Sequence, residues 1–292
     1  MKGKEKYLLI LAEILILLLI TYSPVPDWID EGYADSGRCS SVKLETITPH
    51  TLRSFSFSQR IKWYEDRLSP CRQQLKEISA RNNIPTILLS TIILNELADI
   101  DFLDLGQEWI GVEKGSVGIA QIQIDTAIFH KLVDVSEEEI DKYRTSTEAA
   151  QRFRGKKPSR NQALRILTGQ KLMQPEIAIE AAAREIKKIL QNIKACSRGT
   201  WRNNFLTGEI KLANRDPNEI YSFVRGGTRR EKNINLARMI AAPYNSSGIE
   251  CVENPGNPFS SDDSGPFANP RKRSDSAALI AGDLFDGNLF NN

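Results

Sequence analysis

Residues 88–101, "LLSTIILNELADID", end an apolar run on an Asn-Glu pair. Leu88, Leu89, Ile92, Ile93 and Leu94 cover more than one face of a helix, so the segment belongs deep in a core. Burying a charge in such a place is expensive. Glu96 therefore either escapes to solvent or sits as a carboxyl in an apolar pocket. The second arrangement disfavours the ionised form and raises its pKa, which is what a general acid working near neutral pH requires. Asp99, Asp101 and Asp104 follow closely. They read first as solvated loop charge, and in a sharper reading one of them is a base that activates water.

Other chemistries find fewer residues. His50 and His130 are the only histidines, and neither stands at ligand spacing from a cysteine, so no zinc site is expected. No phosphate-binding loop is evident either, and no cofactor is implied. The four cysteines, Cys39, Cys71, Cys196 and Cys251, form no CxxC pair. In an oxidising compartment they can make two disulfides. Three pairings exist, of which sequence order alone suggests Cys39–Cys71 and Cys196–Cys251; four buried thiols are the alternative. A net charge of +2 and a pI near 8.3 are too mild to point to nucleic acid. They tolerate an anionic polymer as substrate without demanding one.

The elements that must position Glu96 lie between two very different ends. Lys2, Lys4 and Lys6 precede "YLLILAEILILLLITYS", a run broken only by Glu13. Inserting Glu13 in a bilayer costs at most roughly 2.5–3.5 kcal/mol, and the eleven Leu and Ile residues offset this by about 3–7 kcal/mol. The expectation is an uncleaved signal-anchor within residues 1–35, with the N-terminus cytoplasmic and the rest of the chain periplasmic or extracellular. The rival is a cleaved signal peptide, which would leave the protein secreted. Against it, Pro24 and Pro26 follow the run directly, and the best small-x-small site, Gly32-Tyr33-Ala34, lies well beyond it.

Between 36 and 252 the pattern is mostly α. "PCRQQLKEISARNN" reads as a helix broken at Asn82-Asn83, and Pro85 opens the helix carrying Glu96. "VGIAQIQIDTAIFHKLV" is a second apolar element. "SEEEIDKYRTSTEAAQRFR" and "SRNQALRILTG" read as further helices, with Ser136 a candidate N-cap for the first, and "QPEIAIEAAAREIKKILQNIKAC" is the clearest amphipathic one. From 253 to 292 the chain turns rich in Pro, Gly, Ser, Asn and Asp, and reads as a disordered tail. Within it "AALIAGDLFDGNLF" could dock on a protein of an envelope or secretion machine.

Four separated pieces carry a resemblance: the helix ending on Glu96, "GSVGIAQIQIDTA", "PEIAIEAAAREIKKIL" and "ARMIAAPYNSSG". In this order they resemble the lysozyme-like domain of SLT-type lytic transglycosylases, which cleave peptidoglycan. That family has a helix ending in Glu-Ser, then Gly-Ala-x-Gly-Leu-Met-Gln-Ile-x-Pro-x-Thr-Ala, then Ala-Tyr-Asn. Glu96 falls on the acid. Gly115, Ser116, Gly118, Gln121, Ile122, Thr126 and Ala127 fall on the second motif in register, and Tyr244 and Asn245 on the third. The chain departs from the pattern at Leu97, Ile119-Ala120, Ile124 and Pro243, in the twenty positions from Glu96 to Ser116, and in an apparent insertion from Lys194 to Asn235.

The resemblance implies a mostly α, lysozyme-like fold behind the membrane anchor, with peptidoglycan strands as partner. It implies cleavage of the β-1,4 bond between N-acetylmuramic acid and N-acetylglucosamine, leaving 1,6-anhydromuramic acid ends. Glu96 would be the single catalytic acid, and Ser116, Gly118, Gln121, Tyr244 and Asn245 would line the sugar site. Gln121 could equally satisfy backbone groups, Gly115 and Gly118 more readily permit a tight turn and close backbone approach than touch ligand, and Tyr244 could be plain core. Trp109 and Trp201 could stack on sugars. Two alternatives stand beside it. One is a goose-type-like muramidase, a hydrolase in which Asp99, Asp101 or Asp104 activates water. The other is a catalytically silent, membrane-tethered glycan-binding or scaffold module.

Overall fold

A thirteen-residue helix, eight of whose residues are apolar, lies at the centre of the core. The computed structural model describes residues 38–48, 55–100, 115–192, 217–245 and 270–286, and all fall in one compact unit beginning at Arg38. Among them 73% are helical, which makes the unit mostly α as its periodicities predict. The expected anchor run lies outside the described residues; among those described, no helix is long and apolar enough to cross a membrane.

In chain order the helices are α1 (Leu44–Ile47), α2 (Phe57–Arg67), α3 (Arg72–Arg81) and α4 (Thr86–Ala98). A two-stranded antiparallel hairpin follows, β1 (Ser116–Val117) with β2 (Ile122–Gln123), in which Ser116 faces Gln123 and Val117 faces Ile122. Then come α5 (Ile124–Phe129), α6 (Glu137–Arg144), α7 (Thr147–Arg152), α8 (Arg160–Leu172) and α9 (Pro175–Asn192). The last described helices are α10 (Pro217–Phe223), α11 (Arg229–Asn245) and α12 (Pro270–Asp286).

Local chemistry accounts for the boundaries. Ser56 with Gln59, Ser136 with Glu139 and Ser159 with Gln162 form reciprocal capping boxes at the starts of α2, α6 and α8. Asn83 takes a positive φ of 55° and ends α3 where the Asn-Asn pair predicts. Pro85 is the N-cap of α4. The other end of α4 is closed by Arg60 of α2, whose guanidinium donates to the Ala98 carbonyl at 3.2 Å and meets the negative end of the helix dipole.

Helix α4 is buried from Leu88 to Ala98 because it is packed on all sides: α2, α3, α9, α11 and α12 each touch it. A helix apolar all round is stable only in such a position. Alanines 178, 181, 182 and 183 let α9 approach its neighbours closely. A smaller cluster of Ile140, Tyr143, Ala149, Ala163 and Ile166 joins α6, α7 and α8.

Cys39 and Cys71 form a disulfide, the first pairing that sequence order suggested. Cys196 and Cys251 lie outside the described residues.

One boundary needs correction. Residues 270–286, read from sequence as part of a disordered tail, form α12 and pack on α11 and α4. Ala277, Ala278, Ile280, Ala281 and Leu284 are buried. Their helical spacing is genuine, but the residues are small and the flanking Pro, Gly, Ser and Asp mask them in the average. A Cβ on Gly282 would stand 3.1 Å from the Arg230 guanidinium, so the glycine admits α11 at close range. A domain limit drawn at 252 therefore omits a core helix.

Candidate functional site

Glu96 occupies the last turn of α4 and is 6% exposed; Asn95 beside it is also buried. The carboxyl has not escaped to solvent. Leu94, Leu97, Ile119, Ala120 and Ile122 are buried as well.

The hairpin owes its shape to two residues with positive φ. Gly118 sits at φ 73°, and a Cβ there would fall 2.1 Å from the Leu172 carbonyl oxygen, so only glycine lets the turn lie against α8. Gln121 sits at φ 45°, and both its backbone N–H and its side-chain amide donate to the Gly118 carbonyl, at 3.0 and 2.9 Å. Of the two roles open to Gln121, the structure displays the backbone-satisfying one. Ser116 begins β1 and is half-buried.

Tyr244 joins the pieces. From the last turn of α11 its hydroxyl donates to the Ala120 carbonyl at 3.1 Å, one residue before Gln121. Burial raises the tyrosine pKa well above its ordinary value, and the charges of Glu96 and Glu185 raise it further. Helix, hairpin and Ala-Pro-Tyr-Asn segment are thus brought together through one phenol. Pro243, inside the last turn of α11, removes the N–H that would have bonded the Met239 carbonyl.

The remaining expected residues are less informative. Asp99 is the C-cap of α4, half-buried, its N–H bonded to the Glu96 carbonyl at 3.2 Å. Asn245 ends α11. Asp101, Asp104, Trp109 and Trp201 lie outside the described residues.

Sequence reasoning missed Glu185. It is 3% exposed on the packed side of α9, and burial pushes its carboxyl up to about 7, with Lys188 acting in the opposite sense. Among the described residues nothing hydrogen-bonds its Oε2. The signal was present in "AIEAAAREIKKIL": by helical spacing Glu185 shares a stripe with Ala178, Ala181, Ala182 and Ile189.

The charges of Glu96 on α4 and Glu185 on α9 both act on the Tyr244 phenol of α11, and burial of a carboxyl favours its protonated form. No protein-family model, curated protein or solved structure matches the chain.

Proposed function

We propose that the chain is a membrane-anchored peptidoglycan lytic transglycosylase with Glu96 as its catalytic acid. The observation carrying this reading is a carboxyl, 6% exposed at the end of a core helix, whose charge acts on a half-buried tyrosine anchored to the Ala120–Gln121 turn. The order of helix, hairpin and Tyr-Asn segment along the chain supports a lysozyme-like domain.

Glycoside cleavage begins with a proton. Glu96 delivers it to the bridging oxygen, and the bond from that oxygen to the anomeric carbon of N-acetylmuramic acid breaks. The substrate's own N-acetyl group stabilises the positive charge, so no second carboxylate is required as nucleophile. Glu96, now ionised, takes the proton from the 6-hydroxyl of the same sugar. That oxygen bonds to the anomeric carbon and closes the 1,6-anhydro ring, returning the acid to its starting form. The Cys39–Cys71 disulfide favours an oxidising compartment outside the cytoplasm, where the wall lies and where the N-terminal apolar run would leave the domain.

Digesting purified sacculi with the full-length chain tests the proposal. Muropeptides ending in 1,6-anhydromuramic acid are expected from wild type and not from Glu96→Gln. Reducing ends in their place would assign a hydrolase with Asp99, Asp101 or Asp104 as base. Tight glycan binding without release would assign a silent scaffold module.

A further inference from the structure

Three cations hold the segment that follows the hairpin. Helix α5 ends in a tight turn: Lys131 takes a positive φ of 52°, its N–H bonds the Ile128 carbonyl at 3.2 Å, and the Leu132 N–H bonds the Ala127 carbonyl at 2.9 Å. The carbonyls beyond that turn have no partner within the helix. Alternate ones along the chain are each taken by a side chain of α8 or α9. Lys188 donates to the His130 carbonyl, Arg184 to the Leu132 carbonyl at 3.3 Å, and Lys171 to the Asp134 carbonyl at 2.6 Å. Positive charge is favourable at this end of a helix.

The cations are themselves fixed. Glu180, one turn before Arg184, accepts from its Nε at 3.1 Å, and from Arg81 at 2.5 Å and Asn82 at 3.3 Å at the end of α3. Lys171 pairs with Glu139 of α6 at 2.7 Å. Lys188 forms no ion pair among the described residues, so its half-buried ammonium is committed to one carbonyl. The hairpin turn lies against the start of the same helix α9: a Cβ on Gly118 would stand 3.5 Å from the Ala178 Cβ. From Ala178 to Lys188 is about 15 Å of helix. Helix α9 thus grips the hairpin at one point and the far end of α5 at another.

We propose that Arg184 and Lys188 are positioning residues for the sugar site: by clamping the end of α5 they fix where the hairpin residues Ser116, Gly118 and Gln121 stand. The proposal rests on the reading of that hairpin as part of the site. Helix α5 starts at Ile124 directly after β2 and has six residues, too few to hold its own shape without outside contacts. A shift at its end is therefore carried back to the hairpin. Bonds from charged donors are the strong ones, so each cation removed loosens the unit appreciably. A loose hairpin offers glycan many arrangements in place of one, and ordering it again opposes binding. Proton transfer by Glu96 is affected less, because that residue stands on the separately packed α4.

The test compares the full-length chain with Lys188→Met, Lys188→Arg and Arg184→Met, by amide hydrogen exchange and by cleavage of solubilised glycan strands. The Gln121 and Ile124 amides bond the Gly118 and Gly115 carbonyls at 3.0 Å. In Lys188→Met both should exchange about tenfold faster, the loss of one charge-assisted bond, while amides of α2 and α7 keep their rates. KM should rise about tenfold with kcat held, the mark of lost binding rather than lost chemistry. Lys188→Arg should restore the exchange rates and KM. Arg184→Met should repeat the pattern of Lys188→Met, and it decides the matter if that variant fails to fold. Exchange that rises throughout the chain, or nowhere in the folded variants, overturns the clamp, and a fall in kcat at unchanged KM overturns its role at the sugar site. A wild type that releases no glycan fragments overturns the cleavage reading alone, and the exchange rates then decide the clamp.

Discussion

The Tyr244 hydroxyl donates to the Ala120 carbonyl at 3.1 Å, across 124 positions of sequence. This bond ties the end of α11 to the hairpin turn, and the same phenol feels the charges of Glu96 and Glu185. Removing the hydroxyl as Tyr244→Phe leaves the carbonyl without this donor. The expected loss is about 0.5–1.5 kcal/mol of stability, read from denaturant midpoints, with slower anhydro-end release at unchanged helicity.

Glu96→Gln keeps the shape of the side chain and deletes the transferable proton. General acid catalysis contributes about 10²–10⁴-fold, so anhydro-end release should fall by at least that range while the circular dichroism spectrum is unchanged. Residual release close to wild type would remove Glu96 from the chemistry.

Gly118→Ala tests the hairpin. The new methyl would fall 2.1 Å from the Leu172 carbonyl oxygen at a residue with φ 73°. Strain of this kind costs about 1–3 kcal/mol even before the clash is relieved. A lower melting temperature is expected, with cleavage reduced further than stability alone explains as the Ala120–Gln121 turn moves.

Glu185 should make stability depend on pH in a definite direction. Its folded pKa is raised from 4.5 to about 7, so the folded state holds its proton more tightly than the unfolded chain does. The stabilising contribution is fully present below about pH 4.5 and is lost as pH rises through about 7. Glu185→Gln removes this dependence. Wild type should therefore lose up to roughly 3 kcal/mol relative to the variant between acid and mildly alkaline pH, measured by urea unfolding of both proteins across that range.

Truncation before Pro270 should expose the faces of α11 and α4 that α12 covers. Burying Ile280 and Leu284 alone stabilises by about 1.5–3 kcal/mol each. The truncated chain is expected to melt earlier and to be cut by protease within α11, whereas a dispensable tail would leave both readouts unchanged.

Much of this architecture was legible from residue order alone. Apolar periodicity and capping residues placed α3, α4, α8 and α9 to within about a turn, because these depend on contacts within a few residues; the single helix read over 136–154 is two, α6 and α7, parted where Ser146 caps α7. The apolar character of α4 on every face announced that it would be surrounded. Cysteine order suggested Cys39–Cys71. The tail shows the limit of composition: α12 has a weak apolar face of alanines whose stability comes from α11 and α4, and no local average registers partners that lie elsewhere in the chain.

What the sequence determined by itself was therefore most of the core helices, the room for a tight turn at Gly118, and the presence of a carboxyl at the end of an apolar run. Only the tertiary structure decided which groups share its surroundings. Burial and hydrogen bonding depend on distance in space, so Tyr244 reached Ala120, and Glu185 was enclosed at 3% exposure, only when the helices had packed together.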